Sequence, residues 1–189
     1  MINHFIGIGG GGSNILLSLQ SKYPSGMFTV VSDPIKSNIP EAIHFVHFIQ
    51  PNVKPTIKTR ANDVEDSEMY NNITLPSELL KRIEKDQHII LISSLGGYTG
   101  TILLDVLIDF LSSKNISFMV FCGWPFEFEG PGRLHAAVKF RLKHLVSNKV
   151  IHFKSIFDTE QQVKHTTMGE FLKALNSQIA GTIIKRIST

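Results

Sequence analysis

The 189-residue chain holds one cysteine, Cys122, and one tryptophan, Trp124. A single thiol forms no internal disulfide and supplies no thiolate metal cluster. Long apolar runs are also missing: no stretch reaches the ~20 residues that cross a bilayer. The start, Met1 to Gly9, has no basic segment and no apolar segment ending in a cleavage site, so it does not read as a leader. Charge is scarce: charged residues make up 19% and the net charge is +3. That is mildly basic, without the basic stripe of a dedicated nucleic-acid binder, so no nucleic-acid partner is expected. The expectation is a cytoplasmic protein with no membrane span.

What is present is apolar material. Hydrophobic residues at 42% exclude a wholly disordered chain and suffice for one sizeable core. Continuous apolar runs at Ile2–Ile8, Phe28–Val31, Ala42–Ile49, His88–Ser93, Ile116–Cys122 and Lys149–Phe153 read as strands. Between them lie helical patterns: Ile15, Leu16 and Leu19; Ser77 to about Lys85; roughly 101–113; about Gly132 to Leu145; and a long closing helix from Met168 to Ile187. Residues 50–76 are polar and hold Pro51, Pro55 and Pro76, the least regular stretch. Strands that are apolar throughout, alternating with helices, predict an α/β fold: a parallel sheet covered on both faces. There is no internal repeat and no second domain in the pattern.

In such a sheet ligands bind beyond the carboxyl ends of the strands. Two glycine-rich segments occupy that position. The first is Gly7-Ile8-Gly9-Gly10-Gly11-Gly12-Ser13-Asn14; the other is Gly96-Gly97-Tyr98-Thr99-Gly100-Thr101. Glycines let backbone N–H groups approach an anion, and a following helix adds a favourable field. Two such loops suit a di- or triphosphate gripped from two sides. Gly7, Gly9 and Gly12 with Asp33 also match a dinucleotide fingerprint. That oxidoreductase reading leaves the Gly96–Thr101 loop unexplained and has no catalytic dyad.

Together these segments resemble the tubulin/FtsZ GTPases, and FtsZ in particular. Gly7–Asn14 is similar to that family's first nucleotide loop. Gly96–Thr101 is similar to its signature GGGTGT[GS], with Tyr98 in place of the third glycine and Ile102 following. Pro125-Phe126-Glu127-Phe128-Glu129-Gly130 with Arg133 resembles the stretch P-F-x-F-E-G-x-x-R. The order and spacing are family-like, and the resemblance covers essentially the whole chain, Met168–Ile187 standing for the central helix. It implies a Rossmann-like tubulin/FtsZ-type nucleotide-binding domain over residues 1–189, ending at that helix, with the C-terminal activation domain absent.

The resemblance further implies that Gly10, Gly11, Gly12 and Asn14 cradle phosphates, and that Gly96, Gly97, Thr99, Gly100 and Thr101 grip them from the other side. Glu129 would accept a ribose hydroxyl and Arg133 would reach toward phosphate, a bidentate task suited to a guanidinium. Asn176 would read the guanine edge, since an amide offers a donor and an acceptor. The ligand implied is GTP or GDP, with Mg²⁺ beside a triphosphate. The chain departs from the family in four places. The base-stacking aromatic falls on Leu172. The third phosphate loop, expected in 50–66, has no glycine. The family's Asn after the sixth strand is not evident in Phe153-Lys154-Ser155. The sequence stops at Thr189, before the loop carrying the catalytic acids. The expectation is a cytoskeletal-type nucleotide binder with weak or no GTPase activity alone, self-associating or met by a partner chain that supplies the acids. The alternative is a nucleotide-independent interaction module that pairs with or regulates a filament. No residue is assigned a catalytic or metal-ligating role.

Other constellations carry blander readings. Asp105 and Asp109 are i,i+4 and read as a solvated helix face. His44 and His47 would point to opposite faces of an extended run. His135, His144, His152 and His165 show no ligand spacing. Lys139, Arg141, Lys143 and Lys149 spread around a helix as a solvated edge. Cys122 reads as a buried small hydrophobe, and Trp124 and Phe126 as part of the core.

Overall fold

The structure, a computed structural model, describes residues 2–33, 39–48, 73–84, 86–145, 151–154 and 167–188. Among the described residues six parallel strands form one sheet: β1 Ile2–Ile8, β2 Met27–Ser32, β3 His44–His47, β4 Gln87–Ser94, β5 Phe118–Gly123 and β6 Ile151–Lys154. Their order is β3-β2-β1-β4-β5-β6. The helices are α1 Gly9–Gln20, α2 Ser77–Arg82, α3 Leu104–Ser113, α4 Pro131–Leu145 and α5 Met168–Ile187. A π-helical turn, Thr99–Leu103, precedes α3, and a 3₁₀ turn, Glu127–Glu129, precedes α4.

The apolar strand runs are explained by burial on both faces. Alternate residues serve two cores: Ile6, Ile8, Ile89 and Leu91 pack with α2, α3 and α4 on one face. Phe5, Ile90, Ile92 and Phe121 pack with α1 and α5 on the other. The helical stripe Ile15, Leu16 and Leu19 of α1 is buried, and on α5 Leu175, Ile179 and Ile183 meet it. Cys122 is buried, and the low polarity around it pushes its thiol well up.

Three expectations are corrected. The first glycine cluster is not a loop before a helix; it is the helix's own first turn, because α1 starts at Gly9. The expected helix from 101 begins instead as a π turn two residues earlier. Asp105 is not on a solvated face. It is 1% exposed and accepts hydrogen bonds from Lys143 Nζ at 2.7 and 2.8 Å and from His144 Nε2 at 2.7 Å. Burial alone would raise the Asp105 carboxyl, but the bonds from His144 and Lys143 outweigh it and hold it below its ordinary range. Asp109 is exposed and also meets Lys143, at 3.2 Å. His44 pairs with Glu78 at 2.7 Å, while His47 is exposed. Residues 50–66, His165 and Lys149 lie outside the described residues, as does Ser155.

Candidate functional site

Between β1 and β4 the chain reverses its direction of travel across the sheet: β2 and β3 build outward on one side, β5 and β6 on the other. Such a switch point opens a crevice at the strand ends. A cleft of about 520 Å³ lies there, at the carboxyl ends of β1 (Ile8), β4 (Ser94) and β5 (Gly123). The volume falls in the range of small-molecule sites, ~300–1,000 Å³.

Its first wall is the opening turn of α1. Gly9 sits at φ +68, and a Cβ there would come within 3.1 Å of Gly100 N, so the two glycine segments touch. The α1 N-cap, Ile8, makes no side-chain capping bond, so capping leaves the first-turn N–H groups without a side-chain acceptor. A Cβ on Gly10 would meet nothing within 4 Å. The opposite wall is the π turn. Ser93 Oγ donates toward Gly100 O at 2.8 Å and toward Ile8 O at 3.2 Å, tying that turn to the end of β1. Thr99 Oγ1 donates to Asp33 Oδ2 at 3.1 Å, across the rim from the end of β2. π turns concentrate at functional sites.

The far end is different in character. Asn176 lines it from α5 among Leu172, Leu175 and Ile179, facing Phe126 and Pro125. Phe126 stacks on Phe128 with centroids 4.8 Å apart and tilts against Phe171 at 5.6 Å. At the rim Arg133 donates to Glu129 Oε2, and Glu129 Oε1 accepts from Phe126 N at 3.0 Å. The cleft therefore combines glycine-rich backbone from α1 and the π turn with an apolar α5 wall in which the Asn176 amide stands among Leu172, Leu175 and Ile179.

Of the residues singled out in the sequence, Gly10, Gly11, Asn14, Gly97, Thr99, Gly100, Glu129, Arg133 and Asn176 line this cleft. Gly12, Gly96 and Thr101 stand behind it. A Cβ on Gly12 would lie 2.3 Å from Ile92 O, so that glycine serves the contact of α1 with β4. Gly96, at φ +89, packs against Arg133, and its N–H donates to Thr101 Oγ1 at 2.9 Å. Sequence reasoning passes over Ser94, which lines the cleft floor beside Gly11 and Gly123. Its place at the end of an apolar strand is the signal that could have found it. Asp33, assigned only to the dinucleotide reading, also belongs to the cleft.

The strand order alone suits dinucleotide folds as well; solved structures decide. CetZ from Methanosaeta thermophila superposes with a TM-score of 0.71 over 100% of this chain and 54% of its own, at 16% identity. The fold is tubulin/FtsZ-like. CetZ2 from Haloferax volcanii, a GTPγS-bound protofilament, gives 0.68 over 97% and 57%, at 18% identity. An empty FtsZ dimer from M. jannaschii gives 0.64 over 96% and 53%, at 15% identity. The chain thus spans about half the length of these tubulin/FtsZ-like structures. No family model and no curated protein matches it by sequence. Among the described residues no helix is long and apolar enough to cross a membrane, and no cluster of candidate metal ligands occurs.

Proposed function

We propose that the cleft binds a guanine nucleotide, GTP or GDP, and that the isolated chain turns it over slowly or not at all. The observation that carries this is the meeting of the α1 first turn with the π turn in a cleft whose α5 wall presents the Asn176 amide among apolar side chains. Gly10, Gly11, Gly97, Thr99 and Gly100 would take the phosphates, and Asn176 the base edge. Asn14, Glu129 and Arg133 would line the path between. Asp33 at the rim suits a hydrated Mg²⁺ beside a triphosphate, an oxygen ligand for a hard cation. Slow turnover is inferred because, among the described residues, the acids lining the cleft are Asp33 and Glu129 alone, both at the rim in contact with Thr99 and Arg133, with no further acid to orient an attacking water. Residues 1–189 act on this reading as one nucleotide-binding unit, and a partner or another copy would complete a hydrolytic site.

Calorimetry with GDP, GTP, ATP and NAD, Mg²⁺ present, tests this. Guanine nucleotides should bind at micromolar levels while ATP and NAD stay silent. Arg133→Ala and Thr99→Ala should each weaken binding about tenfold, the loss of one charge-assisted hydrogen bond. Unchanged affinity in both variants defeats the site assignment.

A rival reading, an interaction module, draws on the surface beside the cleft. Phe128, Met168 and Leu172 are 66%, 56% and 39% exposed. Self-association fits them, and solved neighbours carry the names protofilament and filament. Light scattering separates the two. Growth of particle mass without nucleotide supports the module; growth only with GTP supports the nucleotide reading.

A further inference from the structure

The π turn, Thr99–Leu103, is flanked on both sides by contacts to the same helix. At its upstream end Gly96 lies against α4: a Cβ there would sit 2.7 Å from Arg133 Cβ and 3.0 Å from Arg133 O. At its downstream end Asp105, in the first turn of α3, is bonded by Lys143 and His144 from the last turn of α4. Asp105 and His144 are 1% and 4% exposed, while the Lys143 side chain is 48% exposed and bridges on to Asp109. Helix α4 thus lies along the segment from Gly96 to Asp105 as a splint, gripping it before and after the residues that face the cleft.

We infer that Asp105 is a positioning residue: held by Lys143 and His144, it fixes the π turn against α4, and through that turn sets how Thr99 and Gly100 reach into the cleft. Asp105 itself does not line the cleft. A carboxylate suits the task, since it accepts from two donors at once, and each of its donors extends from α4. Burial makes the clamp consequential, because a buried donor that loses its acceptor finds no water to replace it. The ligand half of this inference rests on the nucleotide reading; the rigidity of the turn does not.

Hydrogen exchange on the full chain without ligand tests the rigidity. In Asp105→Asn, amides from Gly97 to Leu104 should exchange about tenfold faster, the equivalent of one lost hydrogen bond. In Lys143→Met, which removes only the half-exposed arm and leaves His144 on Asp105, the same amides should exchange faster by a smaller factor. Amides of β1 and β4 should keep wild-type rates in both. Unchanged rates in the turn, or equal acceleration throughout the chain, overturn the inference. Titration with GDP and with guanosine tests the ligand half. Asp105→Asn should lose about tenfold in GDP affinity and nothing in guanosine affinity, since only GDP reaches the turn. Equal losses for both ligands assign Asp105 to general stability and overturn its positioning role. Wild-type binding with no change in either variant leaves the nucleotide reading standing and removes Asp105 from it. Absence of binding by the wild type defeats the nucleotide reading, while the exchange data still decide the clamp.

Discussion

Gly10 and Gly12 are two residues apart in one helical turn, yet they do different work. Open space surrounds a Cβ at Gly10, whereas one at Gly12 would lie 2.3 Å from Ile92 O, a backbone atom in a central strand. Gly10→Ala should therefore leave stability within about 1 kcal/mol of wild type, or raise it slightly, because alanine is the better helix former. It should also weaken nucleotide binding by crowding the ligand's approach. Gly12→Ala should cost about 2 kcal/mol or more through overpacking. Thermal melts with and without GDP check both, and a Gly10→Ala protein that binds GDP normally argues against phosphate contact at that turn. The sequence cannot separate these glycines, since four in a row are equivalent until β4 is placed beneath Gly11 and Gly12 and open space beside Gly10. His4 offers a pH-dependent counterpart. It is fully buried between Gln87 and Thr29, bonded at 3.2 and 2.8 Å, and burial lowers its pKa to about 4. The unfolded chain, with His near 6.5, binds the extra proton first, so stability is complete above pH ~6.5 and falls as pH drops toward 4. The loss is on the order of 3 kcal/mol, read from urea midpoints across that range. His4→Gln should flatten that part of the profile.

At the scale of elements, the strands are legible because a strand buried on both faces must be apolar at every position, and these are. The start of α1 is not. Glycine in a helix costs about 1 kcal/mol relative to alanine, so Gly9–Gly12 argue for a loop, and packing of α1 on β1, β2, β4 and α5 overrides that preference. Asp105 escapes a sequence reading for a related reason: its partners Lys143 and His144 stand 38 and 39 residues away in sequence, where no helical spacing rule reaches. The π turn has no sequence signal of its own. Its link to β1 runs through the fully buried Ser93 hydroxyl. Ser93→Ala should cost about 1–2 kcal/mol, since Gly100 O and Ile8 O lose a buried donor. Chemical denaturation measures it. A neutral result would mean that the contact of Gly9 with Gly100 and the hold of α4 on Gly96 and Asp105 keep the turn in place without it.

The whole molecule shows why the motif positions are informative before any coordinates. In a parallel sheet every strand ends on the same side, so segments that follow strands are brought together however far apart they lie in the chain. The glycine segments after β1 and β4 and the Pro125–Gly130 stretch after β5 meet for that reason. What they form is less legible: Ser94 enters the cleft as a strand end outside every motif, and Asp33, just past β2, enters it beside the π turn and not in the dinucleotide role its motif suggested. The lone tryptophan of the chain is one of these strand-end residues. Trp124 lines the cleft just past β5, and the Arg141 guanidinium lies 5.9 Å from its ring centre. All indole emission from this protein consequently originates at the cleft wall. A ligand filling the cleft would change the surroundings of that ring, so occupancy should be readable from its emission in the native chain, with no label attached.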